Sequence, residues 1–177
     1  MNNYQRFNIQ IGELCLEQYA DPPEDSLGEL SDFEIGLRRF CYESDRPVLI
    51  EIGDEKIQVF FDPDICMILE DNLPEQIYKL SLGQEIEIFF AESSQTIIKL
   101  IPVAHKINCN LIKFGNSCEY KQFELERNQL LEVFKNFLDK IMQLTVDGGY
   151  ITPEEKQEFL MPIAKMIINP FNLSTHK

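Results

Sequence analysis

Cysteine and histidine are the side chains through which this sequence could do nucleophilic chemistry, and it holds five of the first and two of the second. Cys118 follows the polar turn Gly115-Asn116-Ser117, and Cys66 falls near the expected start of a helix, where a thiolate is favoured. Either would need a base. His105 is the candidate, because His176 lies in the polar terminal run NLSTHK. A histidine and a cysteine in turns are equally ordinary structural residues. The five cysteines (Cys15, Cys41, Cys66, Cys109 and Cys118) are odd in number and irregular in spacing, and none belongs to a CxxC pair. Free, structural thiols are therefore expected, without zinc or a disulfide framework.

Oxygen ligands and paired acids give little more. The stretch VDGGYITPEEKQEF resembles the second half of an EF-hand calcium loop, with Gly149 at the required glycine and Glu155 as the closing glutamate. Calcium needs oxygen at the first, third and fifth positions, which here are Leu144, Val146 and Gly148. A helical hairpin with a glycine turn and a Thr152 cap accounts for the same residues. Asp62 with Asp64 and Glu70 with Asp71 are pairs that 30 acids produce by chance, and no tryptophan is present to stack on a sugar. No GxGxxG, GxxxxGK[ST] or GxSxG motif occurs. Neither catalytic residues, nor a metal, nor a cofactor is expected.

Charge is the stronger signal. Thirty acids oppose 16 bases for a formal charge of −14, and residues 1 to 62 alone hold 14 acids against 5 bases. From Glu13 to Glu34 eight carboxylates occur with no Lys or Arg among them, while Pro22, Pro23 and Gly28 interrupt the run. About Glu17 to Glu34 reads as a long acidic loop. Such a surface repels phosphates, which excludes nucleic acid as a ligand, and attracts cationic proteins. Glu17, Asp21, Glu24, Asp25, Glu29 and Asp32 are the candidate partner-binding residues, and a basic protein is the expected partner. The plainer alternative is an acidic loop that serves solubility alone.

Hydrophobic spacing supplies the elements that must position these residues. Phe7, Ile9 and Ile11 alternate and, after a slip at Gly12-Glu13, continue as Leu14 and Leu16, as in a bulged strand. Ile35 and Leu37, then Phe40 and Tyr42, suggest a second slipped strand able to pair with it. Gly53-Asp54 predicts a two-residue type II′ hairpin with Ile50 facing Ile57, Val48 facing Val59 and Glu51 facing Lys56. Two short helices are expected after Asp62-Pro63-Asp64 and from Leu73-Pro74 to Gly83. A meander follows, with Ile88 opposite Ile98, Ile86 opposite Leu100 and Leu100 opposite Cys109. A fourth strand is expected near Tyr120 to Leu125, unless Phe123 opens the next helix. Apolar residues from Leu130 to Met142 recur at helical spacing, and Thr152-Pro153-Glu154-Glu155 starts a last helix that runs toward Pro170.

The run Leu73 to Phe90, LPEQIYKLSLGQEIEIFF, with the strands after it and the Leu130 to Met142 helix, resembles the layout of small acidic immunity proteins that accompany bacterial toxins. It is also similar to bacterial proteins, cyanobacterial ones included, without an assigned activity. The resemblance implies a non-catalytic binder and supplies no site residue.

The sequence thus predicts an α+β domain over residues 1–170, with an antiparallel sheet of about six to eight strands packed by two carboxyl-terminal helices and a flexible tail at 171–177. No apolar run reaches the length of a membrane span, and no secretory signal opens the chain, so a cytoplasmic protein without membrane association is expected. The expected function is non-enzymatic protein binding through an acidic surface, as an immunity, regulatory or assembly factor. The alternative is a small-ligand-binding or thiol-dependent enzyme domain with a pocket between sheet and helices.

Overall fold

The computed structural model describes residues 4–15, 25 and 27–168. Among them the chain is α+β, with seven strands in two antiparallel sheets and six helices. β1 (Phe7–Ile11), β2 (Pro47–Ile52) and β3 (Glu55–Phe60) form one sheet in that order. β4 (Ile86–Phe90), β5 (Thr96–Val103), β6 (Lys106–Lys113) and β7 (Glu119–Glu126) form the other. Between the sheets in sequence lie a wide helical turn (Phe61–Ile65), α2 (Cys66–Glu70) and α3 (Leu73–Ser81). α1 (Asp32–Glu43) precedes β2, while α4 (Arg127–Asp147), α5 (Pro153–Phe159) and α6 (Met161–Ile168) follow β7.

Where turn chemistry and alternation agree, the expected registers hold. Gly53 takes φ +61°, which a residue with a side chain rarely adopts, and the hairpin pairs Ile50 with Ile57, Val48 with Val59 and Glu51 with Lys56. The meander pairs Ile88 with Ile98, Ile86 with Leu100 and Leu100 with Cys109, and Phe123 belongs to β7 opposite Cys109. Cys109 is fully buried.

The structure departs from expectation in three places. The segment Ile35 to Tyr42 is helical rather than a slipped strand, so β1 pairs with β2 instead, and β1 ends at Ile11. Ser31 explains the helix: it caps the first turn, accepting from the Glu34 N–H while the Glu34 carboxylate accepts from the Ser31 N–H at 2.7 Å. The single sheet is two sheets, because the helical insertion from Phe61 to Ser81 carries the chain away before β4 begins. The last helix is two helices, α5 and α6, broken at Leu160 just ahead of Pro162, which has no N–H to continue the helical ladder.

The two sheets are joined where Gln5, just before β1, donates its N–H to Glu124 O at 3.0 Å and accepts at its side-chain oxygen from the Glu124 N–H at 2.8 Å. The Glu55 carboxylate on β3 accepts from Lys113 at 2.5 Å and from Lys121, so one acid clamps two lysines of the second sheet. Those lysines, Lys113 first, hold the Glu55 carboxyl below the usual range. α4 closes the core with Leu130, Phe134, Phe137, Leu138 and Ile141 buried, and the Phe134 ring lies 5.1 Å from that of Phe7. Each such side chain contributes roughly 1.5–3 kcal/mol by leaving water.

Two buried charged groups serve this scaffold. Asp64 accepts from the backbone N–H of Glu92 at 3.3 Å and of Ser93 at 3.2 Å, and from the Ser93 hydroxyl, tying the helical turn to the β4–β5 connection. Arg127 donates to Ala104 O at 2.9 Å and to Ser81 O at 2.6 Å, clamping the β5–β6 tip and the last turn of α3 to the start of α4.

Candidate functional site

A groove of about 390 Å³ opens between α1, the end of α2 and the α5–α6 junction. Its apolar part is made by Phe33 of α1, Phe159 of α5 and Pro162 of α6, with the buried Leu37 and Leu69 beneath them. The rings of Phe33 and Phe159 pack against each other with centroids 5.2 Å apart. Three carboxylates, Glu34, Glu70 and Glu158, line the same groove with Ser31 and Asn72.

The local sequence explains why α1 reaches this position. A glycine inside a helix costs about 1 kcal/mol relative to alanine, yet Gly36 is buried at the centre of α1. A Cβ there would stand 2.1 Å from the Tyr150 carbonyl oxygen, so the glycine lets the helix lie directly on the backbone after α4. Tyr150 then grips the far end of α1. Its hydroxyl donates to Glu43 at 2.6 Å, its ring meets Phe40 edge-on at 5.6 Å, and the Arg39 guanidinium sits 6.0 Å over its face. The Tyr150 hydroxyl is the main reason the Glu43 carboxyl lies below its usual range, with Arg39 adding to it. The segment resembling half a calcium loop is therefore the seat of α1, with Leu144 and Val146 inside helix α4 and Glu155 engaged with Thr152 in a capping box.

The carboxylates of the groove differ in how far they are compensated. Arg38 holds Glu70 through both guanidinium arms, the second at 3.2 Å, and Glu70 in turn raises the Arg38 pKa. Glu34 is held below the usual range by the Ser31 hydroxyl and N–H, with a smaller contribution from Arg38. Glu158 has no cationic partner among the described residues. The groove thus keeps net negative charge above an apolar floor. A second groove, of about 350 Å³, lies on the α4 side of α5 and α6 and is lined chiefly by apolar side chains such as Leu160 and Ile163, with Lys135 beside it and Lys156 paired to Asp139 at 2.9 Å.

Of the residues singled out from sequence, Glu29 and Asp32 are exposed, the latter as the first residue of α1. Asp25 turns inward, its carboxylate accepting from the N–H groups of Gly28, Glu29 and Leu30 at 2.9, 3.2 and 3.2 Å, so it orders the approach to α1. Glu17, Asp21 and Glu24 lie outside the described residues, as does the tail at 171–177. Glu34 and Glu70 stand at the groove, whereas Glu158, Phe33 and Phe159 carry no sequence motif that would announce them. The capping box Ser31-x-x-Glu34 was the one signal that could have located α1 and its edge of the groove.

The thiol and histidine are not brought together. His105 is at the β5–β6 tip and Cys118 follows the far end of β6, an eight-residue strand that separates them by roughly 25 Å. Cys66 is buried and hydrogen-bonded to Cys41, and that bond together with burial raises the Cys41 thiol well above its ordinary value. Between the sheets and α4 the packing leaves a void of about 10 Å³ lined by apolar side chains such as Phe7, Val48, Ile88 and Phe134. That is no larger than one water requires.

No helix among the described residues is long and apolar enough to cross a membrane. No protein-family model matches the chain, and neither a curated protein nor a solved structure does.

Proposed function

We propose that this chain is a non-enzymatic, cytoplasmic protein-binding domain that captures a basic partner, in the manner of an immunity, regulatory or assembly factor. The observation that carries the proposal is the groove in which Glu34, Glu70 and Glu158 surround the apolar Phe33 and Phe159, with Leu37 and Leu69 beneath them. An aliphatic or aromatic side chain of the partner fills the floor, and Lys or Arg residues beside it meet the carboxylates. Apolar burial supplies affinity, while the acids steer the approach and select for cationic sequence. Glu29 and Asp32 extend the negative field beside α1, and Glu17, Asp21 and Glu24 add charge just before it in the sequence.

Fluorescence anisotropy with a labelled amphipathic peptide of Lys and Leu at helical spacing tests this. Saturable binding is expected, with the same peptide bearing Glu for Lys inert. Changing Glu29, Glu34 and Glu158 to Gln and Asp32 to Asn should weaken binding about tenfold or more and reduce its salt sensitivity. Glu34→Gln preserves the cap, because glutamine also serves at that position, so the fold stays intact. Unchanged affinity in a variant with a normal melting transition would reject the groove as the binding surface.

A further inference from the structure

Two of the five thiols face each other across a helix seam. Arg38 of α1 holds Glu70 of α2, its second guanidinium arm at 3.2 Å, and the Phe40 ring of α1 packs 5.6 Å from that of Phe61 in the helical turn before α2. Later residues of α1 thus meet earlier residues of the turn and α2, so the two segments run antiparallel. Cys41 lies one turn on from Arg38, and Cys66 one turn back from Glu70. The register set by the ion pair brings the two cysteines together, and the Cys41 S–H donates to the Cys66 sulfur. Cys41 is fully buried and Cys66 is 6% exposed. The other thiols stand apart from this seam: Cys109 faces Leu100 and Phe123 within the four-stranded sheet, Cys118 precedes β7, and the Cys15 N–H donates to Asp45 O at 2.8 Å beyond the end of α1.

We infer that Cys41 and Cys66 are a redox modification site, joined as an internal disulfide when a peroxide reaches Cys66 and parted again by a thiol reductant. Cys66, the more exposed sulfur, attacks one peroxide oxygen. An S–O bond forms, the O–O bond breaks, and the Cys66 proton leaves with the other oxygen, giving a sulfenic acid on Cys66. The Arg38 guanidinium interacts electrostatically with Cys66 and favours negative charge on the attacking sulfur. The Cys41 sulfur then attacks that of Cys66. The S–S bond forms as the S–O bond breaks, and the Cys41 proton, already aimed at Cys66, leaves with the hydroxyl as water. Two thiols give up two electrons, and the peroxide takes them.

Burial sets the pace. A Cys41 thiol held well above its ordinary pKa and a Cys66 with little exposed surface react slowly, so the site answers sustained peroxide rather than brief contact. The two positions are 25 apart, so the bond closes a loop around the β2–β3 hairpin and restricts the unfolded chain. It also pins α1 to α2 beside Leu37 and Leu69, beneath the groove. This chemistry stands whether or not the groove takes a basic partner.

The chain with Cys15→Ser and Cys118→Ser keeps Cys41, Cys66 and Cys109 as its three thiols. Held folded in millimolar hydrogen peroxide, then quenched, unfolded and alkylated, it should lose two of the three, and peptide mapping should find Cys41 linked to Cys66. Dithiothreitol should restore all three. The oxidised form should melt about 5 °C or more above the reduced one, because the closed loop lowers the entropy of the unfolded chain. Cys41→Ala on the same background should give no cross-link and leave a sulfenic acid on Cys66 that dimedone traps. Three free thiols after prolonged peroxide, a cross-link through Cys109, or an oxidised chain that melts below the reduced one would each overturn the inference.

Discussion

Asp45 and Asp62 meet where α1 gives way to β2 and where β3 ends, and the Asp62 N–H donates to Asp45 Oδ1 at 3.1 Å. Burial raises the pKa of both, and for Asp62 the charge of Asp45 raises it further. A carboxyl with a raised folded-state value holds its proton more tightly in the native than in the unfolded chain. Its contribution to stability is therefore fullest below the ordinary carboxylate range and declines as pH rises through the raised values. Asp45→Asn keeps an acceptor for the Asp62 N–H and removes the charge. Its melting temperature relative to wild type should move in its favour from about pH 3 to about pH 7. Thermal melts at both ends check this, and a slope of the opposite sign would mean that the Asp45 charge is compensated. Cys109 is simpler: its burial was plain from the alternation of β6, and that burial pushes its thiol up to about 12, so it stays protonated at neutral pH.

At the scale of elements, α1 decides whether the groove exists. Its glycine is the test. Gly36→Ala improves helix propensity by about 1 kcal/mol but drives a methyl into the Tyr150 carbonyl, a backbone atom with little room to retreat. The isolated segment around α1 should gain helicity on that substitution while the protein loses roughly 1–3 kcal/mol, or several degrees in melting temperature. A protein that melts higher would show that α1 does not rest on Tyr150 as described. The same helix marks where sequence was hard to read. Ile35, Leu37, Phe40 and Tyr42 look like a slipped strand, but the residues packed inward are Phe33, Leu37, Phe40 and Cys41, which fall at i, i+4, i+7 and i+8. The three hairpin registers were legible because Gly53 and the short loops permit only one phase. Whether seven strands make one sheet or two was not, because alternation along a strand says nothing about which strand lies beside it. Likewise Pro162 marks the break between α5 and α6, although the apolar spacing runs through it. The groove was half visible: its acids follow from composition, but its floor needs Phe33 and Phe159, 126 positions apart, to meet.

Across the whole molecule, the groove draws on four helices and on long-range charge, so a change in solvent tests it. It is formed by α1, α2, α5 and α6. Arg38 meets Glu70 and the Ser31 cap holds Glu34, which leaves Glu158 and the field of a chain of formal charge −14 to steer a cationic peptide toward it. Added salt shortens the Debye length to about 8 Å at 0.15 M, which weakens that attraction. The peptide dissociation constant should therefore rise severalfold between low and physiological salt, and anisotropy on a salt series measures it. The variant with Glu29, Glu34 and Glu158 changed to Gln and Asp32 to Asn should flatten the slope. A peptide affinity indifferent to salt would mean that the acids at the groove do not touch the partner.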